Sequence, residues 1–162
     1  MNNTNTYKRI SESIKSNIIL LEKLLEKINE ERNSIERQDL ESLLDSTKEK
    51  SLAFEEVQVA FNQRIKLFEE LEVPKTEKGF FSFIKKLSGP QGKRLKEEWR
   101  QLSMLMNETH NATLVNQKII HKSKENNAKV LDVLKGKRPD NNLYGKTGER
   151  KNMPYQTSLI KA

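Results

Sequence analysis

The chain has 162 residues, a net charge of +7, 34 % hydrophobic and 33 % charged residues, six Gly, four Pro and no Cys. That length suits a single domain, and the lack of cysteine excludes a disulfide framework, a thiolate metal site and a cysteine nucleophile. So few apolar residues favour long amphipathic helices with narrow stripes over a wide core, and the polar start MNNTNTYKRI, with no membrane-length apolar run after it, points to a soluble cytoplasmic protein.

Tyr7, Ile10, Ile14, Leu21, Leu24, Ile28 and Ile35 recur at three-four spacing, with Ile18 and Leu25 widening the stripe. The spacing predicts a helix over about 6–35, roughly 45 Å long at 1.5 Å per residue. Asn17 and Glu31 lie on the same seam, where a polar residue lowers stability but fixes register against a neighbouring helix. ERQD (36–39) interrupts the pattern, and Asp39 is a plausible N-cap with Ser42 three residues on.

A second stripe follows over about 40–72: Leu40, Leu43, Leu44, Thr47, Ser51, Phe54, Val57, Phe61, Ile65, Phe68 and Leu71. It stops at Val73-Pro74, because the residue before proline is pushed out of helical geometry. The short break between two helices of similar length predicts an antiparallel hairpin. Phe80, Phe81, Phe83, Ile84 and Leu87 then form a compact apolar cluster, read as a short helix over 80–87 folded across one end of the hairpin. A membrane-surface helix is the alternative, since Lys85 and Lys86 flank the phenylalanines, but so short a segment anchors weakly.

A third long helix is expected over 92–135, with Leu95, Trp99, Leu102, Leu105, Met106, Thr109, Thr113, Asn116, Ile120, Asn127, Val130, Leu131 and Leu134 on its stripe. Its middle is polar: Asn107, Asn111, Asn116 and Gln117 lie on or beside the stripe. Each Asn reads either as register control or as one wall of a groove for a partner helix. A Trp, Leu and Met stripe is more often core than binding surface, although Met suits adaptable surfaces. Gly136 and Pro139 end the helix, and 136–162 reads as a flexible basic tail. The expected architecture is all-α: an elongated antiparallel bundle of three long, coiled-coil-like helices in 1–135, one short extra helix, and the tail.

The basic excess is localised. Residues 1–74 hold 11 Lys+Arg against 15 Asp+Glu, net −4; 75–96 hold 7 against 1, net +6; 97–134 balance at 5 against 5; 135–162 hold 7 against 2, net +5. A duplex-binding helix concentrates Lys and Arg on its own face, so no nucleic-acid partner is expected. No catalytic constellation, cofactor or metal site is expected either. His110 and His121 stand about 16 Å apart on one helix, and SGPQGK lacks the spacing and the preceding strand of a phosphate loop.

The order of these elements resembles the FlgN-type cytoplasmic export chaperones of flagellar hook-associated proteins. The likeness runs through ILLEKLLEKINEERNSI, the break and restart ERQDLESLLDSTKEK with Lys50, FEEVQVAFNQRIKLFEELEV with Arg64, the long third helix with Asn116 ahead of Ile119 and Ile120, and LYGKTGE with Tyr144, Gly145 and Gly148. The resemblance implies a chaperone that masks the C-terminal helix of a hook–filament junction protein and delivers it to the export gate or export ATPase components, meeting the membrane only through that apparatus. It also implies client binding by Leu114, Asn116, Ile119, Ile120, Asn127, Val130, Leu131 and Leu134, and export-gate docking by Tyr144 and Gly145. A helix laid in a groove needs anchors at i, i+3, i+4 and i+7 and no reaction chemistry. Two other readings compete: a self-associating coiled-coil adapter, and a weak nucleic-acid or anionic-membrane binder using the basic segments.

Overall fold

A computed structural model describes residues 3–86 and 89–135. They form four helices: α1 (Asn3–Arg37), α2 (Leu40–Glu70), α3 (Glu77–Lys86) and α4 (Pro90–Leu134). Among the described residues there is no strand, and no helix is long and apolar enough to cross a membrane. The tail, including Tyr144, Gly145 and Gly148, lies outside the described residues.

The turns are set by backbone hydrogen bonds that the stripes do not reveal. After α1, Gln38 adopts φ +55, and the Gln38 and Asp39 amides donate back to the Ile35 and Ser34 carbonyls at 3.1 and 3.2 Å. Asp39 then caps α2, accepting from the Ser42 amide at 3.1 Å and the Ser42 hydroxyl at 2.7 Å. One residue thus ends α1 and starts α2, which gives the tight break its direction. The same C-terminal motif ends α2: Glu72 has φ +54, its amide donates to Glu69, and the Val73 amide to Phe68. Hence α2 stops at Glu70, ahead of the pre-proline residue that the sequence marks.

The short helix begins at Glu77, three residues earlier than the aromatic cluster suggests. Thr76 caps it, accepting from the Gly79 amide at 3.2 Å, while the Phe80 amide reaches the Thr76 carbonyl at 2.8 Å. Gly79 therefore lies inside the first turn, pressed against Pro74.

Cross-helix ion pairs give the register. Arg9 meets Glu70 at 2.9 Å, Lys23 meets Glu56 at 2.6 Å and Lys27 meets Glu49 at 2.8 Å, so α2 runs antiparallel to α1. Ser11 donates to Glu98 at 2.9 Å, and Arg32 Nε to Asn116 Oδ1 at 2.9 Å, so α4 runs in the same direction as α1. The core follows α1 with four-three regularity: Ile10, Ile14, Asn17, Leu21, Leu24, Ile28 and Glu31 are all buried. On α2 the inward face keeps the expected Val57 and Phe68, but the rest is made of smaller residues than expected, Ser46, Ala53 and Ala60, with Arg64. Leu40, Leu44, Phe54 and Ile65, placed on the inward stripe by the sequence, are exposed.

The Phe-rich segment packs inward. Phe80 is fully buried, its ring centroid 5.4 Å from Phe68 and 4.2 Å from Trp99. Ile84 is buried one turn later, with Phe81 and Phe83 packed partly against the same cluster.

Candidate functional site

The buried seam of α4 has a strict seven-residue spacing, Leu95, Leu102, Thr109 and Asn116, with Gly92 near its start. It ends at Asn116. That side chain spends its hydrogen-bonding capacity on α1: Nδ2 donates to the Ile28 carbonyl and to Glu31 Oε2, both at 2.9 Å, and Oδ1 accepts from Arg32 Nε. Arg32 Nη2 adds a bond to the Ala112 carbonyl at 3.1 Å.

Glu31, on the α1 seam, is the hub. Besides Asn116 it accepts from the Lys50 ammonium and from the Thr47 hydroxyl at 3.2 Å. Burial pushes its carboxyl up, but the hydrogen bonds and charge supplied by Lys50, Asn116 and Thr47 outweigh burial and hold it below the ordinary carboxylate range. Three helices are tied at one level, and the residues that the sequence marks separately (Glu31, Lys50, Asn116) are one cluster.

A second marked residue, Arg64, sits among aromatic rings. Its guanidinium carbon lies 4.6 Å from the Phe61 ring centroid, 5.3 Å from Trp99 and 5.9 Å from Phe68. Burial pushes its pKa down to about 10, and Nη1 finds no hydrogen-bond partner among the described residues. Ring faces attract a cation, but they do not replace an acceptor in the guanidinium plane.

Between α2 and α4, over a floor of Leu21, Leu24 and Ile28, lies a groove of about 620 Å³. Its α2 wall carries Phe54, Val57 and Phe61, and its α4 wall Met106, Thr109 and Thr113. Phe54 and Met106 stand at its mouth, 56 % and 44 % exposed. Thr109 is buried there with its hydroxyl unpartnered among the described residues. The sequence reading missed this groove. The available signal was Phe54, an apolar residue on α2 beyond those that one buried stripe requires.

The expected client-binding residues separate by unit. In the first, residues 1–120, Asn116 faces α1, Ile119 and Ile120 are half-buried and Leu114 is exposed. In the second, which begins at His121, every residue described is exposed. There Asn127, Val130, Leu131 and Leu134 lie within about 100° of one another around the helix, and Val130, Leu131 and Leu134 are 57 %, 52 % and 77 % exposed. Apolar side chains at helical spacing with no cover among the described residues mark a surface that gains by meeting another apolar face. The two expected docking residues, Tyr144 and Gly145, fall outside the described residues. No group of three His, Asp or Glu lies close enough to share a metal ion among the described residues.

Compared with known protein families, residues 1–152 match the family model described as FlgN protein. No curated protein and no solved structure matches the chain.

Proposed function

The chain belongs to the FlgN family of flagellar export chaperones, and from that premise we propose that it binds the C-terminal helical segment of a flagellar hook-associated protein in the cytoplasm. Bound there, it keeps the client from assembling early and delivers it to the export gate. The observation that carries this reading is the end of α4, where Val130, Leu131 and Leu134 are exposed on one side of a helix. A client helix laid along them exchanges its own apolar stripe for this one. Water is excluded from both, and no chemistry is required.

In this account the three long helices form an antiparallel bundle that serves as scaffold. The pairs Arg9–Glu70 and Lys23–Glu56 support the direction of α2, and the Asn116 contacts support that of α4. Leu114, Ile119, Ile120, Asn127, Val130, Leu131 and Leu134 meet the client. Asn116 supports that surface from beneath by fixing α4 against α1. Tyr144 and Gly145 dock the loaded chaperone at the gate.

The test is gel filtration of the purified chain with a hook-associated protein from the same cells, intact and lacking its C-terminal helix. Co-elution at one-to-one stoichiometry with the intact client only is expected. Equal co-elution with the shortened client, or none with either, overturns the reading.

A further inference from the structure

The groove between α2 and α4 is open and apolar, and the structure contains a helix end suited to it. Along α2 its lining runs from Lys50 to Asn62, roughly 18 Å at 1.5 Å per residue. Lys124, Asn127, Leu131 and Leu134 recur at three-four spacing near the end of α4 over roughly 15 Å, with Val130 beside them. Charge matches as well as length. Glu55 lies on the groove lining, and Lys124 flanks the stripe.

The surrounding charges are also opposite. α2 carries 4 Lys+Arg against 7 Asp+Glu, net −3, whereas residues 121–162 carry 10 against 4, net +6. Opposite fields speed encounter and disfavour like-with-like contact of two grooves or two helix ends.

We infer that the groove between α2 and α4 receives the end of α4 from a second copy of this chain. Leu131 and Leu134 seat against Phe54, Val57, Phe61 and Met106. Lys124 meets Glu55. Self-association of this kind covers, in the client-free protein, the helix end that the proposed function gives to the client. It is tested without any client, so either idea can fail alone.

The experiment is sedimentation equilibrium of the full chain across a wide dilution range. Wild type is expected to associate with concentration. Phe54→Asp, which spoils the groove, and Leu131→Asp, which spoils the helix end, each weaken association by at least about tenfold, as expected for a charge placed in an apolar contact. Mixed, the two variants associate with each other, because one retains the groove and the other the helix end. Glu55→Lys and Lys124→Glu each weaken association about two- to fivefold, and the double variant recovers it. These two substitutions sit on exposed side chains and keep the test valid should an Asp variant misfold. A wild type that is monomeric at every concentration overturns the inference. So does a Phe54→Asp chain that associates normally, a mixture that stays monomeric, or a charge swap that restores nothing. Binding of the groove only to a different protein counts against it equally.

Discussion

The side-chain amide of Asn116 on α4 donates to the backbone carbonyl of Ile28 on α1, 2.9 Å away and out of contact with water. An i to i+4 bonded carbonyl in α1 thereby takes a second donor, and an asparagine that would weaken an apolar seam becomes the fastening of α4 to α1. Glu31 and Arg32 bond it directly and Lys50 joins through Glu31, so cost and benefit are shared by one network rather than carried by a single bond.

Removing the amide leaves Glu31 Oε2 without its donor and Arg32 Nε without its acceptor, while the Ile28 carbonyl keeps only its helical partner. Asn116→Ala is expected to destabilise the fold by about 2 kcal/mol, the range for a buried partner left unsatisfied beside a charge. Urea unfolding followed by circular dichroism measures it, and a loss below about 0.5 kcal/mol would show the network to be incidental.

Glu31 also sets a pH dependence. Its carboxyl is held below its ordinary value in the folded state, so the folded protein prefers the ionised form. That preference contributes stability above the unfolded carboxylate pKa and is lost as pH falls through the folded one. Glu31→Gln should therefore be less stable than wild type at pH 7, and the gap should narrow as pH drops below about 4. A gap that stays constant to acid pH would mean that the charge of Glu31 is not what stabilises.

Arg64 is a buried cation whose compensation, among the described residues, comes from rings rather than from a carboxylate. Arg64→Met keeps the volume and removes the charge, and is expected to change stability by less than about 1 kcal/mol or to raise it. Arg64→Ala removes packing against Phe61, Phe68 and Trp99 and should cost about 2–3 kcal/mol. If Met is as damaging as Ala, the guanidinium itself is indispensable to the aromatic cluster.

Backbone geometry predicts a contrasting pair. A Cβ on Gly79 would stand 2.5 Å from Pro74 Cβ and 2.8 Å from Thr76 Oγ1, so Gly79→Ala should loosen the α2–α3 turn and lower Tm. Glu72 holds a left-handed conformation that disfavours side chains, so Glu72→Gly should raise stability by about 0.5–1 kcal/mol. Thermal unfolding of both variants checks the signs.

The legible part of the fold was the part written in large aliphatic residues. Ile10, Ile14, Leu21, Leu24 and Ile28 lie on α1 where their spacing puts them, because α1 is packed along one regular face. On α2 the same reasoning rightly picked Val57 but also Leu40, Leu44, Phe54 and Ile65, while the rest of the inward face is Ser46, Ala53 and Ala60. Close helix packing selects small residues there, and a stripe chosen by size misses them. The ends of α1 and α2 were obscured because Gln38 and Glu72 occupy positions where glycine is the usual signal. The helical spacing of the α4 end was visible, but its exposure was not, since a stripe looks the same covered or bare. The groove as a whole was not legible for a further reason: its walls come from helices distant in sequence, and only tertiary structure brings Phe54 and Met106 to one groove.

In the proposed function the end of α4 holds a client helix. Isothermal titration of the full chain with the C-terminal segment of a hook-associated protein tests it most directly, in wild type, Leu131→Asp and Tyr144→Ala. One-to-one binding by wild type, a loss of at least about tenfold in affinity for Leu131→Asp, and wild-type affinity for Tyr144→Ala are predicted. Undiminished binding by Leu131→Asp, or equal loss in both variants, would contradict it.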